Sequence, residues 1–308
     1  MLARTASNLF WMGRYMERAE FTTRLLEATI RLDSLSPHTA SANTWASALA
    51  VVGAVPVSDV PITSTRARAY LALDDDNSNS VRCCVSRARD NARAARNRLT
   101  QEVWEALNRT WLALGGQSST AGIQSTVRLL DSLKAELRGF EGALEQMLRT
   151  EANWFIRLGT MVERADNTAR LLDVKYYLLL PQGQQVGGAL DRDQWMTLLH
   201  VVSGQGAYRL LYKQSLQPWL VAELLTFRRE LPRSLVSCAA RTVALLGRIG
   251  GVSGRQGEAD RLARRRLDRM EAGDIDQLIK RGLHQSLQKF VAETSDLDRA
   301  IARQFRFP

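Results

Sequence analysis

The sequence predicts an all-α fold, a helical bundle, and three observations carry that prediction. Apolar residues recur at three- and four-residue steps through most of the 308 positions. Only 7 Pro and 20 Gly interrupt them, too few for a chain dense in β-turns. One segment alone, 50–62, reads as a strand, and Pro56 and Pro61 weaken it because proline donates nothing to a ladder.

Taken in order, helical periodicity runs over 6–32, 78–114, 122–179, 194–213, 232–249 and 257–304. Each segment is rich in residues that lose little freedom in a helix. The intervening stretches 34–43, 53–64, 74–79, 115–122, 181–193 and 250–257 carry the Pro, Gly, Ser and Asn that end helices. Residues 181–188 spell Pro-Gln-Gly-Gln-Gln-Val-Gly-Gly, which has no periodicity at all.

Composition is ordinary for a folded chain, with 45% hydrophobic and 24% charged residues. A net charge of +10 and a pI near 10.1 come from an arginine-rich composition and are not by themselves a sign of recognition, so a nucleic-acid partner is not the main expectation. Three cysteines cannot form a disulfide framework, so reduced, buried thiols and a reducing compartment are expected. No apolar run reaches the roughly 18 residues that span a bilayer. The opening residues do not resemble a secretory leader, so the chain is expected to be cytoplasmic and to need no membrane.

The chain also resembles itself. Shifted by 146 positions, Gly13 meets Gly159, Glu17-Arg-Ala-Glu20 meets Glu163-Arg-Ala-Asp166, and Arg24-Leu-Leu-Glu27 meets Arg170-Leu-Leu-Asp173. A second match at offset 154 pairs Ser80 with Ser234 and Cys84 with Cys238. The expectation is one duplicated domain built from two related halves, 1–148 and 149–308, around paired helices 6–32 and 151–179.

Within those helices an apolar stripe (Met12, Met16, Ala19 and onward) runs beside a polar one. The polar positions are Gly13, Glu17, Glu20, Arg24 and Glu27, answered by Gly159, Glu163, Asp166, Arg170 and Asp173. Steps of four and three put them on one side of a helix. Solvated faces drift between copies, yet here acid answers acid and Arg answers Arg. Glu17, Glu20, Arg24, Glu163, Asp166 and Arg170 are therefore the candidate central polar site. Two readings compete. Facing helices would make the stripe a buried ion network, with Arg24 meeting Glu163 or Asp166 and Arg170 meeting Glu17 or Glu20. Alternatively the stripe lines a ligand or catalytic site.

At Asn8-Leu-Phe-Trp-Met-Gly-Arg-Tyr-Met-Glu-Arg-Ala-Glu20 the sequence resembles the bacterial alpha-E family. Leu158-Gly-Thr-Met-Val-Glu-Arg-Ala-Asp166, Ala169-Arg-Leu-Leu-Asp-Val-Lys-Tyr-Tyr177, Pro232-Arg-Ser234 and Gly282-Leu-His-Gln285 agree. So do Arg89-Asp-Asn-Ala-Arg93 and Val103-Trp-Glu-Ala-Leu107, while 72–86 departs with its Asp74–Asp76 run and its Cys pair. The resemblance spans nearly the whole chain. It implies an all-helical fold and genes beside circularly permuted ATP-grasp amide ligases and transglutaminase-like peptidases. It implies no established catalytic residue.

The residues themselves narrow the chemistry. A di-iron carboxylate bundle needs Glu-x-x-His pairs, and His38, His200 and His284 are preceded at that distance by Leu35, Thr197 and Arg281. No zinc spacing and no Gly-x-x-x-x-Gly-Lys-Ser/Thr phosphate loop occurs, so no cofactor or metal is expected. Arginine runs at 82–98 and 261–269 could grip phosphates, although neither interleaves the aromatics that stack on bases. Together with the gene neighbours that the resemblance implies, the expectation is a partner or accessory subunit of an ATP-grasp-type amide or peptide ligase, with a transglutaminase-like protein as a further partner. A stand-alone enzyme working through a carboxylate of the polar stripe is the alternative, and RNA binding is a second.

Overall fold

The computed structural model describes residues 1–35, 41–54, 62–116, 122–178 and 188–308, with side chains in 176–178 excepted. The described residues form fourteen α-helices and no strand. They are α1 (Ala3–Leu35), α2 (Ser41–Val51), α3 (Ser64–Ala72), α4 (Val81–Ala94), α5 (Gln101–Gly115), α6 (Ile123–Gln146) and α7 (Glu151–Leu178). The second series is α8 (Ala189–Val201), α9 (Gln205–Tyr212), α10 (Pro218–Phe227), α11 (Leu235–Ser253), α12 (Glu258–Glu271), α13 (Ile275–Lys280) and α14 (Leu283–Phe305).

Helix ends follow local chemistry. Ser80, Thr100 and Ser234 sit extended before α4, α5 and α11, and their hydroxyls accept the backbone N–H three residues on, at 3.1, 3.4 and 3.2 Å. The Thr100 cap explains why 78–114 is two helices. Residues Arg96–Arg98 make a 3-10 turn, and Leu99 is extended before α5 begins. The stretch 122–179 breaks likewise at Met147, and Asn153 Nδ2 donates across the break to the Leu144 carbonyl at 3.1 Å. Residues 257–304 become three helices. Asp274 caps α13, and Gly282 precedes α14 with φ +90°, a conformation that suits glycine. Of the strand-like segment 50–62, Ala50 and Val51 close α2, and 55–61 lie outside the described residues.

The two longest helices organise the rest. Helix α1 packs on α7, α4, α6 and α8, and α7 packs on α1, α11 and α14. Both are wrapped on nearly every side, so they bury polar residues as well as apolar ones: Leu9, Met12, Ala19 and Leu26 are fully buried, and so is Thr22. The core is continuous, from Trp45 and Leu107 through Phe155 to Leu246 and Ile301. Helix α11 alone among the described residues is long and apolar enough to cross a membrane by length and composition. Half of it is buried in the protein, against α7 and α12, and it carries Arg241 and Arg248.

Candidate functional site: a buried Glu–Arg network where α1 crosses α7

Two glycines set the distance between the central helices. A Cβ on Gly13 would lie 2.1 Å from the Ile156 carbonyl oxygen, and one on Gly159 would lie 2.0 Å from that of Phe10. Any larger residue would drive side chain into backbone, so α1 and α7 touch main chain to main chain. The two contacts exchange roles: residues 13 and 156 on one side, 159 and 10 on the other, both related by the shift of 146.

One turn beyond the crossing lie Glu17 and Glu163, 3% and 1% exposed. Each is clasped by the arginine that follows its counterpart in the other helix. Arg18 donates to both oxygens of Glu163, at 2.6 Å from Nε and 3.1 Å from Nη2. Arg164 Nη2 donates to Glu17 Oε2 at 2.6 Å. A second arginine completes each clasp. Arg14 Nε reaches Glu163 Oε2 at 2.8 Å, and Arg233, from the loop before α11, bonds Glu17 Oε1. Arg233 also meets Glu20 at 2.9 Å, Arg14 meets Asp298 of α14 at 2.8 Å, and Asn79 accepts from Arg18 at 2.9 Å. The loops that supply Asn79 and Arg233 end in the capping serines Ser80 and Ser234, and Thr168 Oγ1 donates to the Arg233 carbonyl at 2.9 Å.

Burial on its own would favour the protonated carboxyl at Glu163, but Arg18 and Arg14 override it and hold the pKa at about 2. Glu20 is held at about 2 in the same way, burial again being overcome by Arg233 and Arg24. These groups are charged and paired throughout the neutral pH range. They have neither the exposure nor the proton affinity of a general base.

The remaining candidates sit at the edge of this network. Arg24 bonds Glu20 within its own helix at 2.9 Å and reaches Ser203, a residue at φ 55° in the turn after α8. Arg170 bonds Asp166 at 2.7 Å, also four residues back. Burial raises the Asp166 pKa, and Arg170 only partly opposes it. The structure thus joins Glu17 to Glu20 through Arg233 and leaves Arg24 and Arg170 on local pairs. The expected cross-helix partners of Glu17 and Glu163 are replaced by Arg164 and Arg18. That choice escaped the stripe analysis because residues 17 and 18 point about 100° apart on a helix. A helix packed on every side has useful neighbours in both directions. Arg18 and Arg164 do recur at the 146 offset, and Arg233 lies in Pro232-Arg-Ser234, so a signal was there.

Other singled-out residues find structural partners. The Cys84 and Cys238 thiols are fully buried, face the carbonyls of Ser78 and Pro232, and are pushed up to about 12 by burial. His284 Nδ1 lies 2.6 Å from Asp173 Oδ1. Some of the 82–98 arginines gain from other helices the aromatics they lack in sequence: Arg89 lies 4.3 Å from the Trp111 ring centroid and Arg96 lies 5.5 Å from that of Trp104. In the second run Arg266 is buried 4.5 Å from Phe290. Among the described residues, no group of three or more His, Cys, Asp or Glu is placed to hold a metal ion.

Comparison with known proteins adds one finding. The family model Alpha-E, described as a predicted alpha-helical domain with a conserved ER motif, matches residues 1–305. No curated protein and no solved structure matches the chain. Glu17-Arg18 and Glu163-Arg164 are the two Glu-Arg dipeptides in the sequence.

Proposed function

The chain belongs to the Alpha-E family, and from that premise we propose that it works as a non-catalytic helical partner, an accessory subunit of an ATP-grasp-type amide or peptide ligase. The observation that carries this reading is the state of the ER residues. Glu17 and Glu163, the residues best placed for carboxylate chemistry, are consumed by Arg164, Arg233, Arg18 and Arg14. A clasp of this kind fixes the register of two helices and leaves nothing for a substrate to meet. What it offers the cell is then a rigid scaffold whose work lies on its surface. The ligase as partner comes from the gene neighbourhood that the family resemblance implies, and a transglutaminase-like protein is a further partner on the same ground.

The test is affinity capture of the tagged chain from its native cytosol at low and moderate salt, with mass spectrometry of what is retained. Stoichiometric recovery of an ATP-grasp ligase supports the proposal. Turnover of an amide or peptide by the purified chain alone would overturn it, as would capture of RNA with no ligase.

A further inference from the structure

The end of α6, the first turns of α7 and the middle of α11 enclose a cleft of about 280 Å³ that is separate from the Glu–Arg network. Its lining combines apolar surface, including Met161 and Leu245, with four arginines: Arg149, Arg157, Arg241 and Arg248. Arg157 is satisfied within the protein, donating to Glu141 at 2.6 Å and Glu145 at 2.8 Å. Glu145 is the one carboxylate on the cleft wall among the described residues, and it is held by that pair. Arg149, Arg241 and Arg248 are exposed and have no acidic partner among the described residues. The Trp154 ring completes the wall, with its N–H turned away from solvent.

We propose that this cleft binds an extended acidic peptide segment. Arg241 and Arg248 are seven residues apart on α11, so they share a face about 10 Å apart along its axis, between the roughly 7 and 13 Å at which an extended chain presents alternate side chains on one face, a difference that long arginine side chains cover. Guanidinium forks match carboxylates two bonds at a time, and the carboxylates of such a segment meet Arg241 and Arg248. The chain between lies on the wall formed by Trp154 and Leu245. A nucleic acid fits less well, because base stacking needs an open aromatic face and the cleft has one half-buried tryptophan. Free phosphate would leave the apolar surface unused. The inference goes beyond the ligase partnership and does not depend on it.

The experiment titrates the full chain with fluorescein-labelled hexaglutamate, hexaglutamine and inorganic polyphosphate, at low and physiological salt. Hexaglutamate should bind saturably and hexaglutamine should not. The variant R241A/R248A alters two exposed side chains and should weaken binding by about tenfold or more, as expected for losing charged hydrogen bonds. W154F removes the five-membered half of the indole, N–H included, from the cleft wall, and should weaken it by about threefold to tenfold. Failure of hexaglutamate to bind the folded wild type overturns the proposal. So does undiminished binding by R241A/R248A with unchanged helicity. Tighter binding of polyphosphate, insensitive to W154F, would also overturn it and mark the cleft as a general polyanion patch. None of these outcomes depends on whether a ligase is captured.

Discussion

Replacing Gly159 by Ala adds one methyl group at the point where α1 and α7 touch. The new Cβ would lie 2.0 Å from the Phe10 carbonyl oxygen, and real Cβ contacts essentially never fall below 3.0 Å. The helices must therefore separate by about 1 Å or more along that line. The opponent is backbone, so no rotamer change relieves it. A gap of that size forfeits a quarter to a half of the dispersion energy around the crossing. It also stretches the 2.6 Å bonds from Arg18 to Glu163 and from Arg164 to Glu17. The expected cost is about 3 kcal/mol or more, which lowers Tm by roughly 5 °C or more in a chain of 308 residues. Gly142 supplies the control. It is exposed on α6 with nothing within 4 Å of its would-be Cβ. There the same substitution should raise stability by about 0.5–1 kcal/mol, because alanine is the better helix former. Thermal and urea unfolding followed by circular dichroism at 222 nm reads both. A Gly159→Ala protein as stable as the wild type would refute the close crossing and the network geometry built on it.

Three further outcomes follow from the same contacts. Glu163→Gln leaves buried Arg14 and half-buried Arg18 beside a neutral amide and should cost about 3 kcal/mol or more at neutral pH. The Glu163 pKa is lowered from 4.5 to about 2 in the folded protein, so its stabilisation is present above pH 4.5 and lost as pH falls towards 2. The stability gap between wild type and variant should thus narrow on acidification, and a gap constant from pH 6 to pH 3 would contradict the assignment. In thiol labelling of the native protein, half-buried Cys83 should react first, with Cys84 and Cys238 reacting only after unfolding; early labelling of Cys238 would speak against its burial. Lys175, 2% exposed, donates to Asp191 and Gln194 at 2.7 Å. Lys175→Met should cost about 3–5 kcal/mol by taking the buried cation away from the Asp191 carboxylate, and adding Asp191→Leu should recover much of it; a double variant worse than the sum of its singles in urea unfolding would exclude a simple ion pair.

By itself the sequence determined that this chain is helical, which two helices are central, and that Glu17 and Glu163 occupy matching positions on them. Those properties are local. A 3.6-residue period, a capping Ser or Thr and a run of Gly act within one turn, so they can be read without a partner in view. Even there the long periods 78–114, 122–179 and 257–304 hid breaks, because a cap such as Thr100 interrupts a helix without disturbing the apolar rhythm. Only the tertiary structure decided which arginine neutralises which glutamate. The separation of α1 and α7, set by Gly13 and Gly159 against main chain, brings Arg18 and Arg164 to the opposite carboxylates and leaves the ion pairs of Arg24 and Arg170 within their own helices. It likewise laid Arg89 on Trp111, 22 residues along the chain, and gathered Arg149, Arg241 and Arg248 around Trp154. Interactions of that kind depend on distances between helices, and helix periodicity carries no information about those.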